Sequence, residues 1–164
     1  MSESQFMKRI SIRSLSPEDL PLLYHYGKEF FERAKMPGKW SDEEFNKNWS
    51  FLLEKGIGGI LGAFLKTGDG DIIIGAIGSV ISSELCTGAP YASELFLYVG
   101  DEYRHGVGKK LVQEFERWSR EAGVRRIHLT NRFAMGLEVG TLYKRLGYEP
   151  AEAVWVKDVE LEVN

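Results

Sequence analysis

Hydrophobic positions in the middle of the chain change their spacing twice, and these changes predict a strand, a turn and a helix. Residues 95–99 form a continuous apolar and aromatic run, which is typical of a buried strand. Gly106 and Gly108 then interrupt the pattern. Beyond them, apolar side chains recur at helical spacing: Leu111, Val112, Phe115, Trp118 and Ala122. The centre of the chain is therefore predicted to be a strand that passes through a glycine turn into a helix.

The residues before this centre predict one strand and two helices. Alternation of apolar and polar side chains over residues 8–13 indicates a strand, and the Ser-Pro pair at 16–17 is typical of a helix start. Ser41 is followed three residues later by Glu44, which is the spacing of a capping box. We expect the second helix to begin there and to end near Gly56.

Further strands and one more helix follow from the same patterns. The apolar runs 59–65 and 72–82 are separated by a short Asp-Gly turn and should form an antiparallel hairpin. Residues 126–130 alternate as a strand, which a helix crossover makes parallel to the central strand. Residues 138–146 predict a short helix, and the alternating valines of 152–163 predict one or two closing strands.

Length and composition fit a single domain over residues 1–164, with residues 1–6 as a disordered tail. The net charge of −3 argues against a nucleic-acid-binding protein, which should be basic. No apolar run is long enough to span a membrane, and no secretory signal is evident. The single Cys86 suits a reducing compartment, so we expect a cytoplasmic protein.

The start of the central helix carries charges of an unusual sign. Lys109 and Lys110 occupy its first turn and Arg104 and His105 precede it, although acidic side chains are favoured there. An anion bound by the glycine turn would remove this mismatch, whereas an ordinary solvated helix start is an equally good interpretation. Two known phosphate-binding motifs do not fit. The dinucleotide motif requires Gly where Leu111 stands, and the Walker A motif requires Ser or Thr where Lys110 stands.

Three segments resemble the GNAT superfamily of acyl-CoA-dependent N-acyltransferases: residues 94–99, 103–108 and 141–148. The family's turn reads Gln or Arg, two residues, Gly, one residue, then Gly or Ala. This sequence has Tyr103 at the Gln/Arg position, with Arg104 one place later. Gly136 stands where the family often has an asparagine seven residues before a helical tyrosine.

The resemblance implies an α/β (α+β) GNAT fold. That fold has a central mixed, mostly antiparallel sheet of six to seven strands, in which one parallel pair splays apart, flanked by about four helices. The implied function is direct transfer of an acetyl group from acetyl-CoA to an amine of a small molecule or peptide in a ternary complex, without a metal. A homodimer is possible in this family. The alternative is a non-catalytic CoA-binding or assembly module with the same fold.

The resemblance also assigns site residues. Tyr143 corresponds to the family's general acid at the thiol sulfur, although a tyrosine on a helix can also simply pack against its neighbours. Glu94 is the candidate general base, and the alternative is an ordinary glutamate at the surface. Phe30, Phe31 and Trp40 would line the amine pocket, although aromatic side chains of this kind also pack ordinary cores. The implied acetyl-CoA contacts are the backbone of Leu97 and Val99 and the turn residues Arg104, His105, Gly106, Val107, Gly108 and Lys109.

Overall fold

The computed structural model describes residues 3–136 and 139–159, which form a twisted sheet between two layers of helices. The strands lie in chain order across the sheet, and only the last pair is parallel. Their bounds are β1 Ile10–Ser14, β2 Gly58–Thr67, β3 Gly70–Ser83, β4 Pro90–Val99 and β5 Arg126–His128. The predicted hairpin and the predicted parallel strand are both present.

The described residues form five α-helices: α1 Glu3–Lys8, α2 Tyr24–Arg33, α3 Asp42–Glu54, α4 Val107–Glu121 and α5 Val139–Arg145. A 3-10 segment, Pro17–Leu23, leads into α2. The predicted cap of α3 is confirmed, because the Ser41 hydroxyl accepts a hydrogen bond of 3.2 Å from the Glu44 amide. No helix within the described residues is both long and apolar enough to cross a membrane.

The two faces of the sheet bury separate clusters of apolar side chains. On one face, Leu111 and Phe115 of α4 pack against strand residues such as Ile74, and α1 adds Phe6 and Met7 at the edge. The opposite cluster, which includes side chains from α3 and the 3-10 segment, consists of Leu15, Leu20, Leu23, Trp49, Ile60, Phe64 and Ala76. The sheet therefore has α1 and α4 on one side and α2 and α3 on the other.

Strands β4 and β5 separate soon after they begin to pair. Their parallel ladder covers only Tyr91–Ser93 of β4, opposite Arg126–His128. The ladder between β3 and β4 shifts register at Leu95, where β4 contains one residue more than β3. Such a bulge bends a strand and increases its twist. Among residues 3–136 and 139–159, the second half of β4 therefore has a strand neighbour on one side only.

Three expectations from the sequence need correction. The described residues form five strands rather than six to seven, because residues 151–159 form no strand; residues 160–164 lie outside the described range. Residues 3–6 belong to α1 and not to a disordered tail, since Phe6 and Met7 pack against the core. Five α-helices are found where about four were expected, and the predicted start of the last one at Glu138 lies outside the described residues.

Candidate active site

Glu94 lies in the cleft that opens between β4 and the segment after β5. Only 4% of its surface is exposed, so it is not the surface glutamate that one interpretation of the sequence allowed. Its Oε2 accepts a hydrogen bond of 2.9 Å from the Thr130 amide. Burial raises the pKa of the Glu94 carboxyl, against the opposing effects of nearby Arg132 and the Thr130 amide. The cleft thus holds a carboxyl group that takes up protons more readily than a solvated one.

Tyr143 of α5 reaches the same cleft from the opposite wall. It is 7% exposed, and its hydroxyl donates a long hydrogen bond of 3.4 Å to the Thr130 carbonyl oxygen. Burial is the main cause that raises the pKa of this phenol, and the negative charge of Glu94 raises it further. Tyr143 is therefore protonated at neutral pH and is able to donate a proton or a hydrogen bond.

Arg132 is a cleft residue that the sequence analysis missed. Its Nη2 donates a hydrogen bond of 2.6 Å to the Leu95 carbonyl oxygen, and its guanidinium lies 5.4 Å from the centre of the Phe30 ring. Its Nε is buried and has no hydrogen-bond partner among the described residues. Arg132 follows the carboxyl end of a parallel strand, where ligand sites are common, and this position was the available signal.

Backbone groups on the open edge of β4 point into the cleft. The Gly100 amide donates to the Ile74 carbonyl oxygen of β3. In an antiparallel pair, only every second residue of a strand directs its amide and carbonyl toward the neighbouring strand. The amides of Leu97 and Val99 are therefore directed away from β3. Side-chain contacts agree with this, because Arg104 Nε donates to the Val99 carbonyl oxygen at 3.3 Å from the same side. Leu97, which lines the cleft, thus offers its amide there, and the Val99 amide lies further along the same edge of β4.

The glycine turn lies between β4 and α4. Gly106 precedes α4 with a φ of +85°, a conformation that other residues adopt only with strain. The first amides of α4, at Val107, Gly108 and Lys109, cannot be bonded within the helix. A Cβ added at Gly108 would meet no atom within 4 Å, so space is open there. His105 and Lys109 are exposed beside this space, whereas the Val107 side chain is buried in the core.

Part of the charge mismatch at the start of α4 is resolved within the protein. Lys110 Nζ donates a hydrogen bond of 2.6 Å to the Ile10 carbonyl oxygen of β1. Arg104 forms an ion pair of 2.6 Å with Asp101, which also binds Arg33. Among the basic residues chosen from the sequence, His105 and Lys109 remain the exposed ones at this turn.

An acidic residue of α1 lies near the same turn. A Cβ placed on Gly106 would lie 3.6 Å from the Met7 sulfur and 3.9 Å from Glu3 Oε1. The first helix thus flanks the glycine turn on one side and brings a carboxylate to it. This arrangement was not expected from the sequence, which suggested a disordered segment.

An aromatic cavity of about 180 Å³ lies between α2, the loop before α3 and the face of β4. It brings together the three residues that the sequence suggested for an amine pocket, Phe30, Phe31 and Trp40, and adds Tyr26 and Met36 to them. The other aromatic side chains of its lining are Phe45, Trp49, Phe96 and Tyr98. Trp40 is held in place by a hydrogen bond of 2.6 Å from its indole N–H to Asp42 and by ring contacts with Phe31 and Phe45.

Phe30 connects this aromatic cavity to the cleft. Its ring lines the aromatic cavity and also a small pocket of about 30 Å³ that Glu94, Leu97, Arg132 and Tyr143 share. The two cavities therefore share one lining side chain, Phe30. Among residues 3–136 and 139–159, no group of three His, Cys, Asp or Glu side chains could hold a metal ion.

This arrangement, with its splayed parallel pair and glycine turn, is the GNAT fold that the resemblance implied. The model of the acetyltransferase (GNAT) family matches residues 21–148, which is more than half of the chain. The protein therefore belongs to the GNAT acetyltransferase family. None of the curated protein sequences matches it significantly.

Solved structures with the same fold include several acetyltransferases. A predicted acetyltransferase from Clostridium acetobutylicum, solved with acetyl-CoA, has a TM-score of 0.71 at 15% identity, over 91% of this chain and 96% of that one. The aminoglycoside acetyltransferase meta-AAC0020, from an uncultured soil metagenomic sample and in complex with sisomicin, has a TM-score of 0.68 at 20% identity, over 95% and 98% of the two chains. AAC(6')-Iy, in complex with the bisubstrate analogue CoA-S-monomethyl-acetylneamine, has a TM-score of 0.70 at 20% identity, over 93% and 99%. At these identities the likeness concerns the fold.

Proposed function

We propose that this protein transfers an acetyl group from acetyl-CoA directly to an amine, with both substrates bound at once. The observation that carries the proposal is the open edge of β4. There, backbone amides that are directed away from β3 lie beside a buried carboxyl group, Glu94, and a buried phenol, Tyr143. Acyl transfer from a thioester needs these three kinds of group: hydrogen-bond donors, a base and an acid.

The residues present fit acetyl-CoA. Its amide and thioester carbonyls would find donors in the Leu97 and Val99 amides and in the Arg132 Nε–H, which is buried and lacks a partner among the described residues. Its phosphates would lie over the first turn of α4, where Gly108 leaves open space and Lys109 is exposed. When bound, acetyl-CoA supplies an activated acetyl group with a thiolate as the leaving group.

The reaction follows from these positions. The amine nitrogen attacks the thioester carbonyl carbon, so that a C–N bond forms and the C–S bond breaks. Donors on the edge of β4 stabilise the negative charge that develops on the carbonyl oxygen. Glu94 accepts the proton that the amine loses, directly or through a water molecule, and Tyr143 gives its proton to the departing thiolate. Proton return from Glu94 to Tyr143 through solvent restores the starting state.

The raised pKa of Glu94 suits its role as a base. A general base is most effective when its pKa lies near the working pH, and burial moves this carboxyl in that direction. Cys86 is exposed and lies in the connection between β3 and β4, away from the cleft, so a covalent acetyl-cysteine intermediate is not part of the proposal.

The experiment that tests the proposal is calorimetric titration with acetyl-CoA and with CoA. The variant Gly108→Glu places a carboxylate on the first turn of α4 without a steric clash, because the site is open. An acidic residue at this position also favours the helix, so the variant should fold. We expect its affinity for acetyl-CoA to fall at least about tenfold through repulsion of the phosphates. Gly108→Ala is the matched control and should retain wild-type affinity.

Each outcome distinguishes between functions. No binding of acetyl-CoA by the wild-type protein would overturn the proposal as a whole. Equal affinity of wild type and Gly108→Glu would remove the α4 turn from the site. Tight binding without release of CoA thiol across a broad panel of amines would favour the non-catalytic CoA-binding alternative.

A further inference from the structure

The proposed transfer leaves the amine undefined, and the aromatic cavity restricts its chemistry. We propose that the acceptor is an amine with a single aromatic or compact apolar group, which binds in the aromatic cavity while the amino group reaches past Phe30 to the cleft. This inference rests on the proposed acetyl transfer. It further implies that polyhydroxylated amines and polyamines are poor substrates.

The size of the aromatic cavity fits one ring. Its volume is about 180 Å³, and a dry cavity of about 150 Å³ in another protein binds benzene. A phenyl group, or one slightly larger, would therefore fill the cavity. A multi-ring sugar such as an aminoglycoside would leave most of its rings outside the cavity.

The lining offers aromatic surface and few polar groups. None of the described side chains that line the cavity is a carboxylate or an ammonium group. Two polar groups in the lining are already bound: the Tyr98 hydroxyl donates to Glu29 at 2.5 Å, and the Trp40 indole N–H donates to Asp42. A ligand with several hydroxyl groups would leave them unpaired here, which is costly. An aromatic ring, by contrast, gains edge and face contacts with its neighbours.

The location of the cavity places the reactive nitrogen. Phe30 lines both the cavity and the Glu94–Tyr143 pocket, so a group seated in the cavity has the cleft as its neighbour. A primary amine on a short alkyl chain attached to the ring would extend from the aromatic cavity toward the cleft. Its charge would then lie near the buried Glu94 carboxyl and outside the apolar lining.

The solved structures that contain sisomicin or an acetylneamine derivative share the fold but do not determine the acceptor of this chain. Those ligands carry several positive charges and hydroxyl groups, which require carboxylates and other polar partners. Two carboxylates bond directly to residues of the lining, and both are already engaged. Glu29 accepts from Tyr98 and lies 3.6 Å from His25, and Asp42 accepts from the Trp40 indole N–H. Two engaged carboxylates outside the lining do not suit a polycation.

The test measures binding separately from turnover. Calorimetric titrations with 2-phenylethylamine, spermidine and neamine would be run on the full chain in saturating CoA and again without it. We expect 2-phenylethylamine to bind at least about tenfold more tightly than either polyamine. Thiol-release assays with acetyl-CoA should give the same order of kcat/KM.

A pair of variants locates the binding site. Met36 lines the cavity and is 42% exposed, so Met36→Trp can add volume at the mouth without disturbing the core. We expect this change to weaken 2-phenylethylamine binding at least about tenfold and to leave CoA affinity unchanged. Phe51 on α3 is 55% exposed and does not line the cavity, so Phe51→Trp is the matched control with wild-type binding of both ligands.

The outcomes separate this inference from the function on which it rests. Binding of 2-phenylethylamine that is no tighter than that of spermidine or neamine would overturn the assignment, whether or not CoA binds. Binding of 2-phenylethylamine that is unchanged by Met36→Trp would overturn the assignment of the aromatic cavity as its binding site. Selective binding of 2-phenylethylamine without acetyl transfer would support the cavity's chemistry but refute the proposed function.

Discussion

Glu94 and Tyr143 hold the two ends of one residue, Thr130. Glu94 accepts from the Thr130 amide at 2.9 Å, and the Tyr143 hydroxyl donates to the Thr130 carbonyl oxygen at 3.4 Å. Thr130 follows β5, in the segment that no longer pairs with β4. The Glu94 and Tyr143 side chains therefore bond the Thr130 backbone where the strand ladder has ended. A candidate base and a candidate acid are thus fixed in a common frame beside the open edge of β4.

The first prediction concerns Tyr143. Tyr143→Phe removes the proton donor but retains the buried ring, so we expect kcat to fall about 100-fold or more, as is usual for a lost general acid. Acetyl-CoA affinity should stay the same, because the ring still packs in place. Steady-state assays of thiol release and calorimetry measure the two quantities. A variant with unchanged kcat would restrict Tyr143 to packing.

The second prediction concerns the pH profile of activity. The raised pKa of Glu94 means that the carboxylate needed as a base is lost at a pH above the ordinary glutamate value of about 4.3. The acid limb of kcat/KM should therefore lie above that value in wild type and disappear in the residual activity of Glu94→Gln. An identical acid limb in both proteins would assign it to another group.

The third prediction concerns the effect of the same substitution on stability. A carboxyl whose pKa is raised on folding binds protons more tightly in the folded state, so its contribution to stability is lost as the pH rises from the unfolded to the folded pKa. Glu94→Gln keeps an oxygen for the Thr130 amide but no charge. We expect this variant to melt at a higher temperature than wild type at pH 7, with the difference shrinking toward pH 4. Thermal unfolding at several pH values measures this, and a lower melting temperature at pH 7 would contradict it.

Local signals in the sequence predicted most of the elements that build the site. The Ser41 cap, the glycine turn before α4 and the parallel arrangement of β4 and β5 each depend on neighbouring residues or on a single crossover. Glu94 and Tyr143 were found through family resemblance. Their shared contact with Thr130 joins residues 36 and 13 positions apart, so no local pattern reveals it.

Prediction from the sequence failed for residues whose position or role depends on contacts with residues far away along the chain. Lys110 was interpreted as part of an anion site, but its ammonium bonds the carbonyl of Ile10, 100 residues away. Val154 and Val156 alternate as in a strand, yet they are 83% and 86% exposed, because alternation does not supply a neighbouring strand. The role of Arg132 also depends on distant groups, the carbonyl of Leu95 and the ring of Phe30.

The fourth prediction concerns the carboxylate that α1 brings to the glycine turn. Glu3 would repel a phosphate bound there, so Glu3→Gln should raise acetyl-CoA affinity by a factor of about 1.4 to 5, given that exposed charge interactions are worth about 0.2–1 kcal/mol. The effect should shrink in high salt, which screens such charges. Glu84→Gln makes the same change in net charge in the β3–β4 connection and should leave the affinity unchanged. Equal effects of the two substitutions would point to net charge alone.

The last prediction concerns how the wall of the aromatic cavity is built. A Cβ on Gly27 of α2 would lie 2.4 Å from Cη2 of Trp40, so glycine is what lets the indole ring lie against the helix. The ring is also held by Asp42, Phe31 and Phe45, and it cannot yield without losing those contacts. We expect Gly27→Ala to destabilise the protein by about 1–3 kcal/mol, as overpacking does.

Phenylalanine at position 40 lacks the outer ring atoms that would collide with the new methyl group. In a Trp40→Phe background, Gly27→Ala should therefore become neutral or stabilising by about 0.5–1 kcal/mol, because alanine favours a helix more than glycine does. Urea unfolding of wild type, both single variants and the double variant gives the coupling between the two sites. An equal effect of Gly27→Ala in both backgrounds would show that the contact with Trp40 does not limit residue 27. A large coupling would establish that Gly27 is kept small by the cavity wall, since the helix itself would prefer alanine.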